Sequence, residues 1–373
     1  MGYAGKSSPH VIIWMGVLPG SLSVTDGIEV AIHSKTILSA FSIDDVRVEI
    51  RESEVTRSAK MYKPALEYNT TARIQGPFST ALGLPICAQA TPCIQGTGGF
   101  FISDPRDPGR LYLVTARHVV FPPNEDNDKL YQHNNSGQHC RNVLPLGDAT
   151  LEEHVMDIES KICLLKRIII EDLEDQLKAA EWTDGEDAEA ERNRVLSRLE
   201  EGKEALEAYE GFLKDISRDW AKQEDCVLGH VTLSPPIGLN VGEEGFTEDW
   251  AVIKVDNSKI DKTNFVGNAI DLGTTIPFGK FTARMRTYPP PFNNPGNRLL
   301  EFYGTISDDE MWKPSLKTLK LHYNNDPCIM VIKGGPDLKV GLLNTIRSFT
   351  RYYFKGQPSQ MSKEVSVLPR DHL

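Results

Sequence analysis

The stretch that most constrains the fold runs from Gly96 to Phe121, GTGGFFISDPRDPGRLYLVTARHVVF. It reads as strand, turn, strand and then a short helical turn. The first strand, Gly99 to Ile102, is apolar and follows Gly96 and Gly98. DPRDPGR is turn chemistry, because Pro fixes φ while Asp and Gly tolerate a tight bend. Leu111 to Val114 is a continuous apolar run, as a buried barrel strand would be. The hairpin ends on one histidine, His118. An imidazole delivered by a rigid strand can be held within hydrogen-bond reach of a proton, which a general base requires. A buried histidine near a threonine is the plainer alternative.

A second stretch, Phe246 to Asp256 (FTEDWAVIKVD), places Asp249 ahead of an apolar strand. A carboxylate behind an imidazole fixes its tautomer and stabilises the imidazolium formed during attack. An aspartate that merely caps a strand is the alternative, and Glu248 is its neighbour. His118 and Asp249 lie 131 residues apart.

Gly-Thr-Gly-Gly-Phe followed by Leu-Val-Thr-Ala-Arg-His-Val resembles the histidine hairpin of trypsin-like serine peptidases. Asp249-Trp250-Ala251-Val252-Ile253 resembles their aspartate motif, in a register that favours Asp249 over Glu248. The wider chain resembles trypsin-like proteins of basidiomycete fungi. Val119 stands where secreted digestive enzymes have a cysteine, which is closer to the intracellular branch. The resemblance implies a chymotrypsin-like double β-barrel and peptide-bond hydrolysis by a Ser-His-Asp set. His118 would be its base and Asp249 its orienting carboxylate. It also implies a protein or peptide substrate, with no cofactor and no metal.

The nucleophile does not follow. A serine peptidase needs a serine in a Gly-Asp-Ser-Gly-like turn, whose backbone N–H groups form the oxyanion hole. Ser136 precedes Gly137 but lies ahead of the aspartate in a polar loop, Ser348 falls within a strand, and Ser359 and Ser362 lack adjacent glycines. Cys328, in Pro-Cys-Ile-Met, has no glycine either. Leu368-Pro369-Arg370-Asp371 matches the approach to the turn in the fungal group, and the turn is absent. A truncated gene product and a degenerate homologue both fit, and the abrupt end favours truncation. The expectation is a chain without peptidase activity as written. The alternative function is a non-catalytic pseudo-peptidase used as a protein-binding module.

Around these motifs the chain is expected to be mainly β with α insertions. Residues 1–75 hold a β-α-β extension: a strand at Val11 to Val17, a helix capped by Ser23 or Thr25 and running to about Phe41, and a strand of alternating Val46, Val48 and Ile50. Residues 76–290 form the first barrel. From Leu151 to Gln223 apolar residues recur every three or four positions in two series separated by Asp184-Gly185. That pattern predicts an antiparallel helical hairpin inserted at residues 151–225. Its role is a solvated spacer or a partner-binding arm. Tyr288-Pro289-Pro290-Pro291 and Asn293-Asn294-Pro295-Gly296 read as a linker. Residues 291–373 begin a second barrel that remains incomplete.

Composition narrows the partners. A formal net charge of −11 argues against nucleic acid, because phosphate binding needs a basic face. No apolar run approaches the ~20 residues of a membrane helix. Val11 to Leu18 resembles a short signal segment but lacks a small-residue cleavage site and meets Pro19-Gly20. The six cysteines are scattered, and Val119 removes the position of the usual bridge, so free thiols in a reducing, cytoplasmic setting are expected. His133, His139 and Cys140 have no second ligand pair at zinc spacing and read as a polar loop. The sequence leaves the oligomeric state open.

Overall fold

A computed structural model describes residues 11–17, 20–52, 59–66, 69–121, 128–134, 137–180, 186–273, 297–307, 309–310, 320–321, 327–334, 339–352 and 360–369. The Asp184-Gly185 turn, the linker at 288–296 and residues 370–373 lie outside these. The chain is mainly β with helices and divides into two compact units, Met1–Arg57 and Ser58–Leu373.

In the first unit β1 (Val11–Val17) pairs in parallel with β2 (Val46–Glu52), Val11 opposite Val46 and Val17 opposite Glu52. A parallel pair needs a crossover, here α1 (Val24–Ala40). Ser23 caps the helix, its Oγ accepting from the Asp26 amide at 3.2 Å. At the other end the Phe41 amide donates back to the Leu38 carbonyl and the Ser42 amide to that of Ser39, and Ser42 at φ +59° turns the chain toward β2.

The second unit begins with a short helix, α2 (Ala72–Gln75), and is built on a curled antiparallel half-barrel. Its strands are β3 (Pro85–Ala88), β4 (Gln95–Thr97), β5 (Phe100–Ile102), β6 (Tyr112–Thr115), β7 (Tyr131–Gln132), β8 (Asn142–Pro145), β9 (Gly229–Ser234) and β12 (Ala251–Val255). They run β4-β3-β8-β9-β12-β6-β5, with β7 also on β9. The two edge strands, β4 and β5, are consecutive in the chain, separated only by Gly98 and Gly99. A Cβ at Gly99 would stand 3.0 Å from the Val114 carbonyl oxygen, so the bend needs the missing side chain. Ile86, Leu113, Val143, Val231, Ala251 and Ile253 are fully buried inside the sheet.

Between β8 and β9 the chain forms α4 (Asp148–Leu164), a π-helical stretch (Leu165–Glu171), α5 (Asp172–Ala180) and α6 (Glu186–Asp219). Ile158 and Ile162 of α4, Phe212 and Ile216 of α6, and Trp220 just beyond it join the main core. Phe78 is their hub, its ring 4.9 Å from that of Trp220 and 5.8 Å from that of Phe212. Farther out Leu173, Val195 and Leu199 make a small cluster of their own. Ion pairs Lys166–Glu210 (2.6 Å) and Lys203–Glu174 (3.5 Å) tie the helices together.

A further sheet joins β10 (Gly238–Val241) and β11 (Phe246–Glu248) to β15 (Lys320–Leu321), β16 (Pro327–Lys333), β17 (Lys339–Tyr352) and β18 (Gln360–Pro369). Its order is β10-β11-β18-β17-β16-β15, antiparallel except where Phe246 meets Lys363 in parallel. A two-stranded ladder pairs β13 (Ala269–Asp271) with β14 (Leu299–Glu301).

Candidate active site

Strand register brings the two motifs together. β6 and β12 are antiparallel neighbours, with Thr115 opposite Ala251 and Val114 opposite Val252. The end of β6 therefore lies beside the start of β12. Past β6 the chain enters α3 (Arg117–Val120), of which His118 is the second residue, while Asp249 lies just ahead of β12. Both side chains leave the sheet at the same end.

They meet there. His118 Nδ1 lies 2.5 Å from Asp249 Oδ2, and the His118 amide donates to Oδ1 of the same carboxylate at 3.1 Å. The His118 side chain is 54% exposed and that of Asp249 21%. An ionised carboxylate only accepts, so Nδ1 is the donor toward it and Nε2 faces away from it. Among the described residues nothing in hydrogen-bond range meets Nε2. Glu248 is engaged elsewhere, accepting from Trp250 Nε1 at 3.0 Å.

No family model, curated protein or solved structure matches this chain. The geometry carries the reading alone.

Two features hold the histidine in place. Val119, its neighbour on α3, packs over Gly96: a Cβ at Gly96 would stand 2.2 Å from Val119 Cγ2. The glycine thus lets α3 settle on β4. On the other side is Arg117, whose side chain is 2% exposed. Its Nη1 donates to the Ser234 carbonyl (3.1 Å) and Oγ (2.8 Å), and its Nη2 to the Lys129 carbonyl (2.9 Å). Its Nε pairs with Asp128 at 3.2 Å. Ser234 Oγ in turn donates to the Trp250 carbonyl at 2.9 Å. A buried cation next to His118 is thereby linked to the residue after Asp249. Burial pushes the Arg117 guanidinium below its ordinary value, and Asp128 opposes that shift. Phe121 closes the turn, its ring 4.2 Å from the guanidinium carbons of both Arg117 and Arg141.

Sequence reasoning found His118 and Asp249 but gave no role to Arg117, Ser234 or Trp250. The available signal was Arg117 itself, a cation inside an otherwise apolar run that has to be buried and therefore partnered.

The other loop residues stand apart. His133 Nε2 lies 3.5 Å from Cys140 Sγ, and its ring is 5.1 Å from that of His230. Among the described residues no group of three or more His, Cys, Asp or Glu is arranged to hold a metal ion. Nor is any described helix long and apolar enough to cross a membrane.

Proposed function

We propose that this chain is a trypsin-like serine peptidase homologue in which His118 and Asp249 are the base and its orienting carboxylate. The observation that carries this reading is the convergence of two distant motifs at one end of neighbouring strands, with Nδ1 2.5 Å from Oδ2. In such a pair the imidazole takes a proton at Nε2 while the carboxylate steadies the resulting cation. Protein or peptide is the substrate class.

The same reading takes the curled sheet as the first barrel of a chymotrypsin-like double barrel. The strands around β16, β17 and β18 belong to the second, within domains at 1–75, 76–290 and 291–373. Helices α4 to α6 are then an inserted antiparallel hairpin. The opposed numbering of the pairs Lys166–Glu210 and Glu174–Lys203 supports that. A reducing, cytoplasmic setting and the absence of a nucleic-acid partner belong to it as well.

None of the 373 residues is assigned as nucleophile, since no serine among them sits in a Gly-Asp-Ser-Gly-like turn. The 373-residue chain is therefore expected to remain unlabelled by a serine-directed fluorophosphonate. A labelled serine would overturn that part. The base pair is tested separately by proton NMR. An Nδ1–H resonance well downfield of the amides should appear and vanish in both His118→Ala and Asp249→Ala. Its absence from the unsubstituted protein would overturn the pairing.

A second reading, a non-catalytic binding module acting through residues 151–225, is favoured by Met156, Leu164 and Leu196. These apolar side chains stand 59%, 52% and 42% exposed on the helices. Under it, a bound protein partner is lost when all three become serine.

A further inference from the structure

Among the described residues, the first unit leaves a strand edge unpaired. β1 and β2 form a two-stranded parallel sheet, and such pairs rarely stand without further strands or covering layers. No residue of α1 is buried, and Val11 and Trp14 of β1 are 58% and 61% exposed. Between α1 and β2 runs a groove of about 820 Å³, lined by Ile28, Ile32, Lys35, Val46 and Val48 among others.

The two faces of β2 differ. Arg47, Glu49 and Arg51 share one face: Arg51 bonds Glu49 at 3.1 Å and stacks 4.1 Å over the Trp14 ring. Val46, Val48 and Ile50 alternate onto the face where α1 lies, marked by the contact of Ser34 Oγ with Met15 Sδ at 4.0 Å. Lys35 Nζ donates to the Asp44 and Val46 carbonyls at 2.6 and 2.8 Å. Each carbonyl keeps a second lone pair for a ladder bond.

We propose that this edge pairs with the same edge of a second copy, β2 antiparallel to β2 and centred on Val48. The occupant is chosen by charge. In that register Val48 faces Val48 and Val46 faces Ile50 on the apolar face, and only the end pair, Asp44 opposite Glu52, sets like charges together. On the other face Arg47 stands opposite Glu49, and Arg51 opposite Asp45. Two-fold symmetry makes each of these contacts twice. Neighbouring registers fail. Centring on Glu49 sets Glu49 against Glu49 and Arg47 against Arg51. Centring on Arg47 sets Arg47 against Arg47 and Asp45 against Glu49. Centring on Ile50 keeps Glu49 opposite Arg51 but loses the Arg47–Glu49 and Arg51–Asp45 pairs and puts Glu52 against Val48. Edge charges usually repel a neighbouring strand, whereas here they alternate in sign and match their own inverse. The inference is independent of the peptidase reading.

Sedimentation equilibrium on the full chain tests it. The unsubstituted protein should sediment at twice the chain mass. Arg47→Glu and Glu49→Arg should each weaken association roughly tenfold or more, since each turns two attractive pairs repulsive. Mixing the two single variants should restore a dimer, because each then meets its opposite. The double variant should dimerise as the original does. The mixture also shows that both singles are folded. A monomer at all concentrations would overturn the proposal, as expected if another part of the chain or a different protein covers the edge. A dimer equally tight in both single variants would overturn it too.

Discussion

One carboxylate grips His118 twice: Asp249 Oδ2 meets the ring Nδ1 at 2.5 Å, and Oδ1 takes the backbone N–H of the same residue at 3.1 Å. The carboxylate cannot turn away from the ring without breaking its bond to the backbone N–H. Asp249→Ala should therefore cost stability as well as orientation. The expected loss is about 1–2 kcal/mol, the lower part of the range for charge-assisted bonds, because His118 is half exposed. Urea unfolding measures it. Asp249→Asn, which keeps an acceptor for the backbone, should recover part of the stability without the downfield Nδ1–H resonance.

Gly96→Ala should disturb α3, because its Cβ would fall 2.2 Å from Val119 Cγ2. Overpacking of this kind costs about 1–3 kcal/mol. Adding Val119→Ala should return most of the loss, a coupling that a double-mutant cycle in urea detects. The downfield His118 resonance should fade and return in step.

Arg117→Met should leave the Ser234 and Lys129 carbonyls without their donor. The buried Ser234 carbonyl so stranded costs about 1–3 kcal/mol and the part-buried Lys129 carbonyl less, so a total of about 2 kcal/mol is expected. Arg117→Lys keeps the charge but not the fork that serves Ser234, Lys129 and Asp128 together, and should recover less than half. Thermal unfolding of the three proteins compares them.

His154 makes stability depend on pH. Burial pushes its imidazole below the ordinary value, against the opposing pull of Glu153 and Asp157. Its Nε2 is buried without a partner among the described residues, and its ring packs 6.0 Å from that of Phe78. Burial lowers His230 as well, helped by His133. Below the ordinary histidine value, about 6.5, the unfolded chain takes up protons that the folded chain refuses. Stability should fall as pH drops from there toward the folded values and level off below them. His154→Leu should flatten that slope in thermal scans between pH 7 and pH 5.

The described cysteines are free and should differ in reactivity. Burial pushes the Cys87 thiol up to about 12 and Cys226 up to about 11, while Cys93 and Cys163 are exposed. Iodoacetamide on the folded protein should modify Cys93 and Cys163 first, with Cys87 and Cys226 roughly a hundredfold slower or more. Peptide mass spectrometry reads the order. Equal rates would mean that the core opens readily.

Elements whose signal is local were legible before any coordinates. The β1 run Val11 to Val17 has the expected bounds, and Ser23 caps α1 as its side chain predicts. The apolar strand beside His118 sits at Tyr112–Thr115, one residue later than its pattern suggests. Long-range pairing was not legible. Nothing in Phe246 announces that it meets Lys363 of β18, and nothing in the periodicity of Leu165 to Glu171 announces a π-helical stretch inside the helical run. The pair His118–Asp249 could be named because the residues around each, Leu-Val-Thr-Ala-Arg-His-Val and Asp-Trp-Ala-Val-Ile, resemble motifs of trypsin-like peptidases. The Arg117–Ser234–Trp250 chain could not, because Ser234 carries no pattern and its importance arises only when β9 lies next to β12.

The ladder between β8 and β9 has a consequence for how the molecule assembles. Val143 pairs with Gly229, so the strands flanking α4 to α6 are immediate neighbours although the whole helical segment separates them in sequence. Because Phe212, Ile216 and Trp220 fill the same core as the sheet, that segment is a wall of the interior and not an appendage. Excising it would leave the strands close enough to reconnect around a void. Synthesis from the N-terminus must also wait for these helices before the half-barrel can shut, which makes shutting slow and leaves its apolar lining open to mispairing in the meantime.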